Sequence, residues 1–106
     1  MAVNPSAMGV AVTSSKTRGW LAYVFYERVE DVASLAKVDT ALVLGHAMAH
    51  EVGHLLLAAG HAPTGLMRAD WTQDDFTDLT HGRLLFTDDQ AVRIRTGLAG
   101  NGVAAK

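Results

Sequence analysis

The pattern His50-Glu51-Val52-Gly53-His54, set in a long apolar segment, constrains this chain more than any other feature of its sequence. Histidines four positions apart on a helix lie one turn apart on the same face, so both imidazoles can reach one metal ion. Glu51 is rotated by about 100° around the helix, which aims its carboxylate at a water on the metal without using a coordination position. The pattern therefore predicts zinc held by His50 and His54, with Glu51 as the general base of a hydrolytic site.

Two histidines on one helix face are often only hydrogen-bonded polar groups, so the surroundings decide between the two interpretations. The segment 41–59 is almost wholly apolar, and a helix that is apolar on all sides is a buried one. Burying two histidines and a glutamate there costs several kcal/mol unless they are paired or bind a metal. The composition of the segment thus favours the metal site.

A catalytic zinc ion usually has three protein ligands and one open position. The candidates for the third ligand after His54 are His61, Asp70, Asp74, Asp75, Asp78 and His81. His61 is preferred because Gly60 can end the helix and turn the chain back, and Pro63 prevents the helix from resuming. The alternative for His61 is a solvated loop residue. If Asp70 or His81 supplied a fourth ligand, the site would be structural and closed to water.

Two further groups of side chains have a simpler interpretation than a metal site of their own. His46 lies one turn before His50, where a core role or a contact with a ligand is expected rather than coordination. The acidic residues Asp70, Asp74, Asp75 and Asp78 are interpreted as solvated loop side chains rather than a calcium site. Trp71 and Phe76 are expected to anchor their loop to the core.

The run HEVGHLLLAAGHAPTGLM, residues 50–67, resembles the metzincin zinc peptidases, and within them the matrixin branch most closely. In that family HExxHxxGxxH precedes a turn with a methionine beneath the metal. The resemblance implies zinc ligation by His50, His54 and His61, Glu51 as general base, and Met67 as the Met-turn residue. The chain departs from the pattern at Leu57, where the family has glycine, and His61 follows His54 by seven residues instead of six.

A wider likeness extends over most of the chain. LAYVFYERVEDVA, LGHAMAHEVGHLLLAAGHAPTGLMRADW and LLFTDDQAVRIR resemble a group of small bacterial proteins with an HEIGHLLL helix. That resemblance implies the same zinc chemistry and brings no substrate with it.

Length and composition limit the remaining choices. A chain of 106 residues with 49% hydrophobic residues predicts a single folded domain over residues 1–106. The net charge is −2 and lysine and arginine are not clustered, so the sequence does not indicate a basic surface for nucleic acid or an anionic membrane. The first residues show no secretory leader, so a cytoplasmic location is the default expectation unless a leader was removed.

The predicted elements describe an α+β fold with few strands. Strands are expected at 8–13 and 20–29, the second covered on both faces, followed by helices at 30–37 and 39–59, the latter capped by Asp39 or Thr40. A Met-turn at 64–68, an irregular segment 68–83 and a C-terminal helix to about Leu98 follow, the helix opened by a capping box over Thr87 to Gln90. Residues 1–7 and 99–106 are expected to be flexible.

These expectations combine into a minimal zincin-like fold: a small antiparallel hairpin, a long active-site helix, a Met-turn and a C-terminal helix. The expected function is a zinc endopeptidase that uses one Zn²⁺ ion and acts on peptide or protein substrates. The alternative is a zinc-binding interaction or regulatory module without peptidase activity. Two strands cover a buried helix poorly. Two arrangements are compatible with this shortage of strands: self-association through strand 20–29, or a minimal fold with a shallow cleft.

Overall fold

The structure, a computed structural model, describes residues 2–3, 8–13, 20–57 and 60–100 and shows a small α+β protein. These residues form four helices and two antiparallel two-stranded sheets. In chain order the elements are β1 (Ala2–Val3), β2 (Gly9–Thr13), β3 (Trp20–Val24), α1 (Tyr26–Ala36), α2 (Thr40–Leu57), β4 (Trp71–Thr72), α3 (Gln73–Thr80) and α4 (Asp88–Gly100). None of the helices in these ranges is long and apolar enough to cross a membrane.

Helix α2 is the central element, and it carries the HExxH pattern. Its start is capped as the sequence predicts, because the Asp39 carboxylate accepts a hydrogen bond from the Ala41 amide at 2.8 Å. The helix was expected over 39–59 and is described to Leu57; residues 58–59 lie outside the described ranges. Its buried residues are Val43, Ala47, His50, Glu51, Gly53 and Leu57.

Strands β2 and β3 pair antiparallel and pack on α2 with one face. The register places Gly9 opposite Val24, and Ala11 opposite Ala22. These inward residues are mostly small, so the sheet approaches the helix closely. The opposite face carries Leu21 and Tyr23, which are half exposed. The expectation that strand 20–29 is covered on both faces, by a helix or by a partner, is met by α2 on one face, while the other face is exposed in a single copy of the chain.

The boundary between strand and helix also differs from the prediction. Strand β3 ends at Val24, not at residue 29, and α1 begins at Tyr26, four residues before the predicted start. The buried residues of α1 are Val29, Val32, Ala33 and Ala36, which repeat with the helical period. The continuous apolar run from Trp20 to Tyr26, which crosses from the strand into the helix, hid this change of period.

The segment 68–83 is not irregular, so that prediction is wrong. Trp71 and Thr72 form β4, which pairs with β1, and α3 follows directly. The helix opens with a capping box between Thr72 and Asp75. Trp71 and Phe76 are fully buried and meet edge to face, which confirms their predicted role as anchors.

The C-terminal helix confirms the second capping box. The Thr87 amide donates to Gln90 Oε1 at 2.9 Å, and the Gln90 amide donates to Thr87 Oγ1 at 3.2 Å. Helix α4 continues to Gly100, slightly beyond the expected end near Leu98. Ala2–Val3, expected to be flexible, are paired with β4, while residues 1, 4–7 and 101–106 lie outside the described ranges.

Candidate metal centre

Three histidines from two parts of the chain converge at the end of α2. His50 and His54 lie on consecutive turns of the helix, and His61 lies in the segment that follows it. One ring nitrogen from each lies within 4.8 Å of the other two, and this is the one group of potential metal ligands within the described ranges. The structure thus brings together all three residues that the sequence proposed as ligands.

The distance between the first two ligands matches a tetrahedral ion. His50 Nε2 and His54 Nε2 are 3.2 Å apart. A tetrahedral zinc ion with bonds of 2.0–2.1 Å holds two nitrogens about 3.4 Å apart. Bringing nitrogens from 4.8 Å to that spacing takes a shift of about 1.4 Å, which a loop residue such as His61 can make. The donor set and its spacing therefore fit zinc.

A backbone carbonyl fixes the ring of His50. His50 Nδ1 is 2.7 Å from the Leu66 carbonyl oxygen, which only a protonated Nδ1 can satisfy by donating. The Nε2 atom that faces His54 then carries the lone pair a metal needs. The same oxygen accepts a hydrogen bond from Trp71 Nε1 at 3.1 Å, so the acceptor is held as well.

The turn that presents this carbonyl contains the predicted Met-turn residue. Gly65 has a φ of +80°, and the Arg68 amide donates to the Gly65 carbonyl at 3.1 Å, which closes a tight turn. Met67 is fully buried, and a Cβ on Gly53 would lie 2.6 Å from its Sδ. Met67 therefore packs directly on the backbone of α2, one residue before His54.

Glu51 is buried beneath the β2–β3 hairpin. It is 2% exposed, and its Oε2 has no hydrogen-bond partner among the described residues. Gly9 of β2 covers it: a Cβ there would lie 3.0 Å from Glu51 Cγ and 2.6 Å from the Tyr23 carbonyl oxygen. Burial raises the pKa of Glu51, and the nearby His54 offsets part of that effect.

The electrostatics of the ligands favour neutral rings. Burial lowers the pKa of His50 to about 4, with the Leu66 hydrogen bond opposing this shift and His54 and His61 adding to it. Burial also lowers the pKa of His61, as does His54, while Asp70 raises it. Metal binding requires neutral imidazoles, so these shifts reduce competition from protons near neutral pH.

The remaining candidate ligands have other partners. Asp75 caps α3 and lies 3.3 Å from Arg68 Nε, and Asp78 lies 3.4 Å from Arg83 Nε. His81 Nδ1 is 2.8 Å from the Thr77 carbonyl oxygen at the end of α3, and Asp74 is exposed in the first turn of that helix. His46 Nδ1 is 2.7 Å from the Leu42 carbonyl oxygen of its own helix. None of these residues belongs to the histidine group.

Comparison with known proteins adds no relative: no family model, no curated protein and no solved structure matches the chain. The case for a function therefore depends on the site itself. Sequence reasoning did not find the Leu66 carbonyl, the Trp71 donor or the cover that Gly9 forms over Glu51. Gly9 gave a weak signal, since an isolated glycine within a strand pattern often marks a close backbone approach.

Proposed function

We propose that the chain is a zinc-dependent endopeptidase with a minimal zincin-like fold, in which His50, His54 and His61 bind one Zn²⁺ ion. The observation that carries the proposal is the convergence of three histidine ring nitrogens, two of which, His50 Nε2 and His54 Nε2, are 3.2 Å apart. The other ring nitrogen of His50, Nδ1, is hydrogen-bonded to the Leu66 carbonyl. Orientation of a ligand histidine through its second nitrogen is a common feature of zinc sites.

The proposed chemistry divides between the ion and the chain. Zinc, when bound, supplies a water of lowered pKa and polarises the substrate carbonyl. Glu51 is the proposed acceptor of the proton of that water. Its burial raises its pKa, which brings the carboxylate closer to the range where proton transfer at neutral pH is efficient. Leu66, through its carbonyl, holds His50 in the tautomer that leaves Nε2 free.

One observation favours a second candidate, a zinc-binding interaction module without peptidase activity. Glu51 is almost fully buried beneath Gly9, so its carboxylate has little access to a substrate in this arrangement of the hairpin. Both candidates bind zinc at the same histidines. Metal content therefore does not separate them, whereas the dependence of peptide cleavage on Glu51 does.

The test is the Glu51→Gln variant, assayed with casein and with a quenched peptide library under zinc-replete conditions. Glutamine keeps the shape of the side chain but cannot accept the proton, so cleavage should fall by about 10²–10⁴-fold. Zinc content should stay stoichiometric. Glu30→Gln is the matched control, because the same change at an exposed position of α1 should leave cleavage unaltered.

Two results would contradict the peptidase proposal. Cleavage that survives in Glu51→Gln would come from another group or a contaminating protease. Absence of cleavage by the zinc-loaded parent chain on the whole library would favour the binding module. Loss of zinc in Glu51→Gln would instead move Glu51 into the ligand set.

A further inference from the structure

The β2–β3 sheet presents apolar side chains on the face that points away from α2. Val10 pairs with Tyr23 and Val12 pairs with Leu21, and these four side chains are 42–51% exposed. We call them the outer hairpin face. An antiparallel sheet with one solvated face normally alternates apolar residues inward with polar residues outward. Here both faces are apolar, so the outer one is expected to be covered in the functional state.

We propose that a second copy of the chain covers the outer hairpin face, so that two hairpins pack face to face around a two-fold axis. In such a dimer each copy contributes the same surface, so the surface must be compatible with itself. The four side chains of the outer hairpin face are all uncharged, and none would repel its symmetry mate. Two sheets packed in this way form a sandwich with a spacing of about 10 Å.

The available area supports a dimer of moderate affinity. Phe25 and Tyr26, which follow β3 directly, are 40% and 53% exposed. The Arg28 guanidinium lies over the Phe25 ring, 4.7 Å from its centre, so a positive charge borders the surface at this end. With about half of each of the six side chains accessible, the surface amounts to roughly 500 Å² per copy, or about 1,000 Å² in the pair. That total is near the lower limit for a specific interface. An interface of this size is typical of a reversible dimer rather than an obligate one.

Another apolar surface competes for this role but suits a different occupant. Two adjoining cavities of about 350 and 360 Å³ share Ala49 and Phe86 as lining residues between α2, the segment 84–86 and α4. They form a concave groove, and a groove does not fit its own copy as a flat sheet face does. Leu85, which is 60% exposed at its rim, provides a way to test this surface separately.

The dimer would also bear on the metal centre, although it does not depend on the peptidase proposal. The inner face of the same hairpin places Gly9 on Glu51. A two-stranded sheet on its own is only marginally stable. Packing against a second hairpin would hold β2 in its place over the buried glutamate.

The test is sedimentation velocity of the zinc-loaded chain over about 1 to 300 µM. The parent chain should shift from monomer to dimer within that range. Tyr23→Lys and Val12→Lys, which place a charge in the interface on either strand, should each weaken dimerisation at least tenfold. Both positions are about half exposed, so melting temperature and zinc content should stay close to those of the parent and show that the fold is retained.

Leu35→Lys and Leu85→Lys are the matched controls, since they make the same type of change at exposed apolar positions outside the outer hairpin face. Neither should alter the dissociation constant. A parent chain that stays monomeric at the highest concentration would overturn the proposal. So would a dimer broken by Leu85→Lys but not by Tyr23→Lys, and so would a monomer that binds phosphatidylglycerol vesicles through Tyr23.

Discussion

At the scale of single residues, the candidate metal centre depends on groups that constrain one another. His50 donates to the Leu66 carbonyl, which also accepts from Trp71, and the ring of Trp71 meets that of His50 edge to face at 5.9 Å. His50 is therefore fixed from two directions and fully buried. His61 lacks such a frame: it is exposed and lies near Asp70, which acts on it electrostatically. The third ligand is the adjustable one.

This difference leads to a prediction for His61→Ala. Removing one of three ligands should weaken zinc binding by more than the 10–100-fold that is typical for loss of a residue that orients a ligand. Asp70→Asn should weaken zinc binding less than His61→Ala does, because Asp70 acts on His61 electrostatically and is not expected to bind the ion. Competition with a chromophoric chelator measures both affinities.

His81→Ala is the control for this measurement, since His81 bonds only within its own helix end and should leave zinc affinity unchanged. If His61→Ala retained zinc as tightly as the parent while Asp70→Ala or His81→Ala lost it, the ligand set would be wrong. The resemblance to metzincins would then no longer be supported by His61, the third histidine, which distinguishes the metzincin pattern from other HExxH patterns.

At the scale of elements, the sequence predicted those whose signals are local. The helix around His50, the capping box at Thr87 and the burial of Trp71 follow from spacing and residue type alone. The capping box at Thr72 was equally local but was hidden by its acidic neighbours, which suggested a solvated loop. The end of β3 was missed because Phe25 and Tyr26 continue the apolar run of the strand into the start of α1.

The contact between hairpin and helix could not be predicted, because it depends on how two elements meet. It gives a prediction for Gly9→Ala. The new Cβ would lie 2.6 Å from the Tyr23 backbone oxygen of β3 and 3.0 Å from Glu51 Cγ, so β2 must shift relative to both β3 and α2. Overpacking of this kind costs about 1–3 kcal/mol of the free energy of unfolding. Urea denaturation measures the change.

Gly45→Ala is the matched substitution, because a Cβ at that position of α2 meets no atom within 4 Å. Alanine should stabilise the helix by about 0.5–1 kcal/mol through its higher helix propensity. The expected result is that Gly9→Ala lowers the free energy of unfolding and Gly45→Ala raises it. Equal and small effects would mean that Gly9 does not pack as closely against β3 and α2 as described.

At the scale of the whole molecule, the candidate metal centre connects segments that are separated along the chain. Helix α2 supplies two ligands, the segment after it supplies the third, and the turn at Gly65 supplies the carbonyl that orients His50. Zinc binding should therefore stabilise the fold by an amount that grows with the logarithm of the ratio of free zinc to the dissociation constant, about 2.7 kcal/mol at a ratio of one hundred. Without metal, the same buried groups make stability depend on pH.

The sign of this pH dependence follows from which state binds more protons. The pKa of His50 falls from 6.5 in the unfolded chain to about 4 in the fold. Between these values the unfolded chain binds a proton that the fold does not, so stability decreases as the pH falls through this window. The full effect amounts to about 3 kcal/mol. Glu51 acts in the opposite direction, because its raised pKa gives stability at low pH that is lost as the pH rises through the folded value.

The metal-free Glu51→Gln variant separates the contributions of His50 and Glu51 to the pH dependence of the free energy of unfolding. Glutamine does not titrate, so the histidine effect remains without its opposing partner, and His61, whose pKa is also lowered, adds to it. The free energy of unfolding of this variant, measured by urea denaturation with chelator present, should fall more steeply from pH 6.5 toward pH 4 than that of the parent. Identical slopes would show that Glu51 gains access to water in the metal-free protein, because a solvated carboxylate would not keep a raised pKa. In that case the hairpin opens over Glu51. The burial of this residue would then no longer be an argument against its catalytic role.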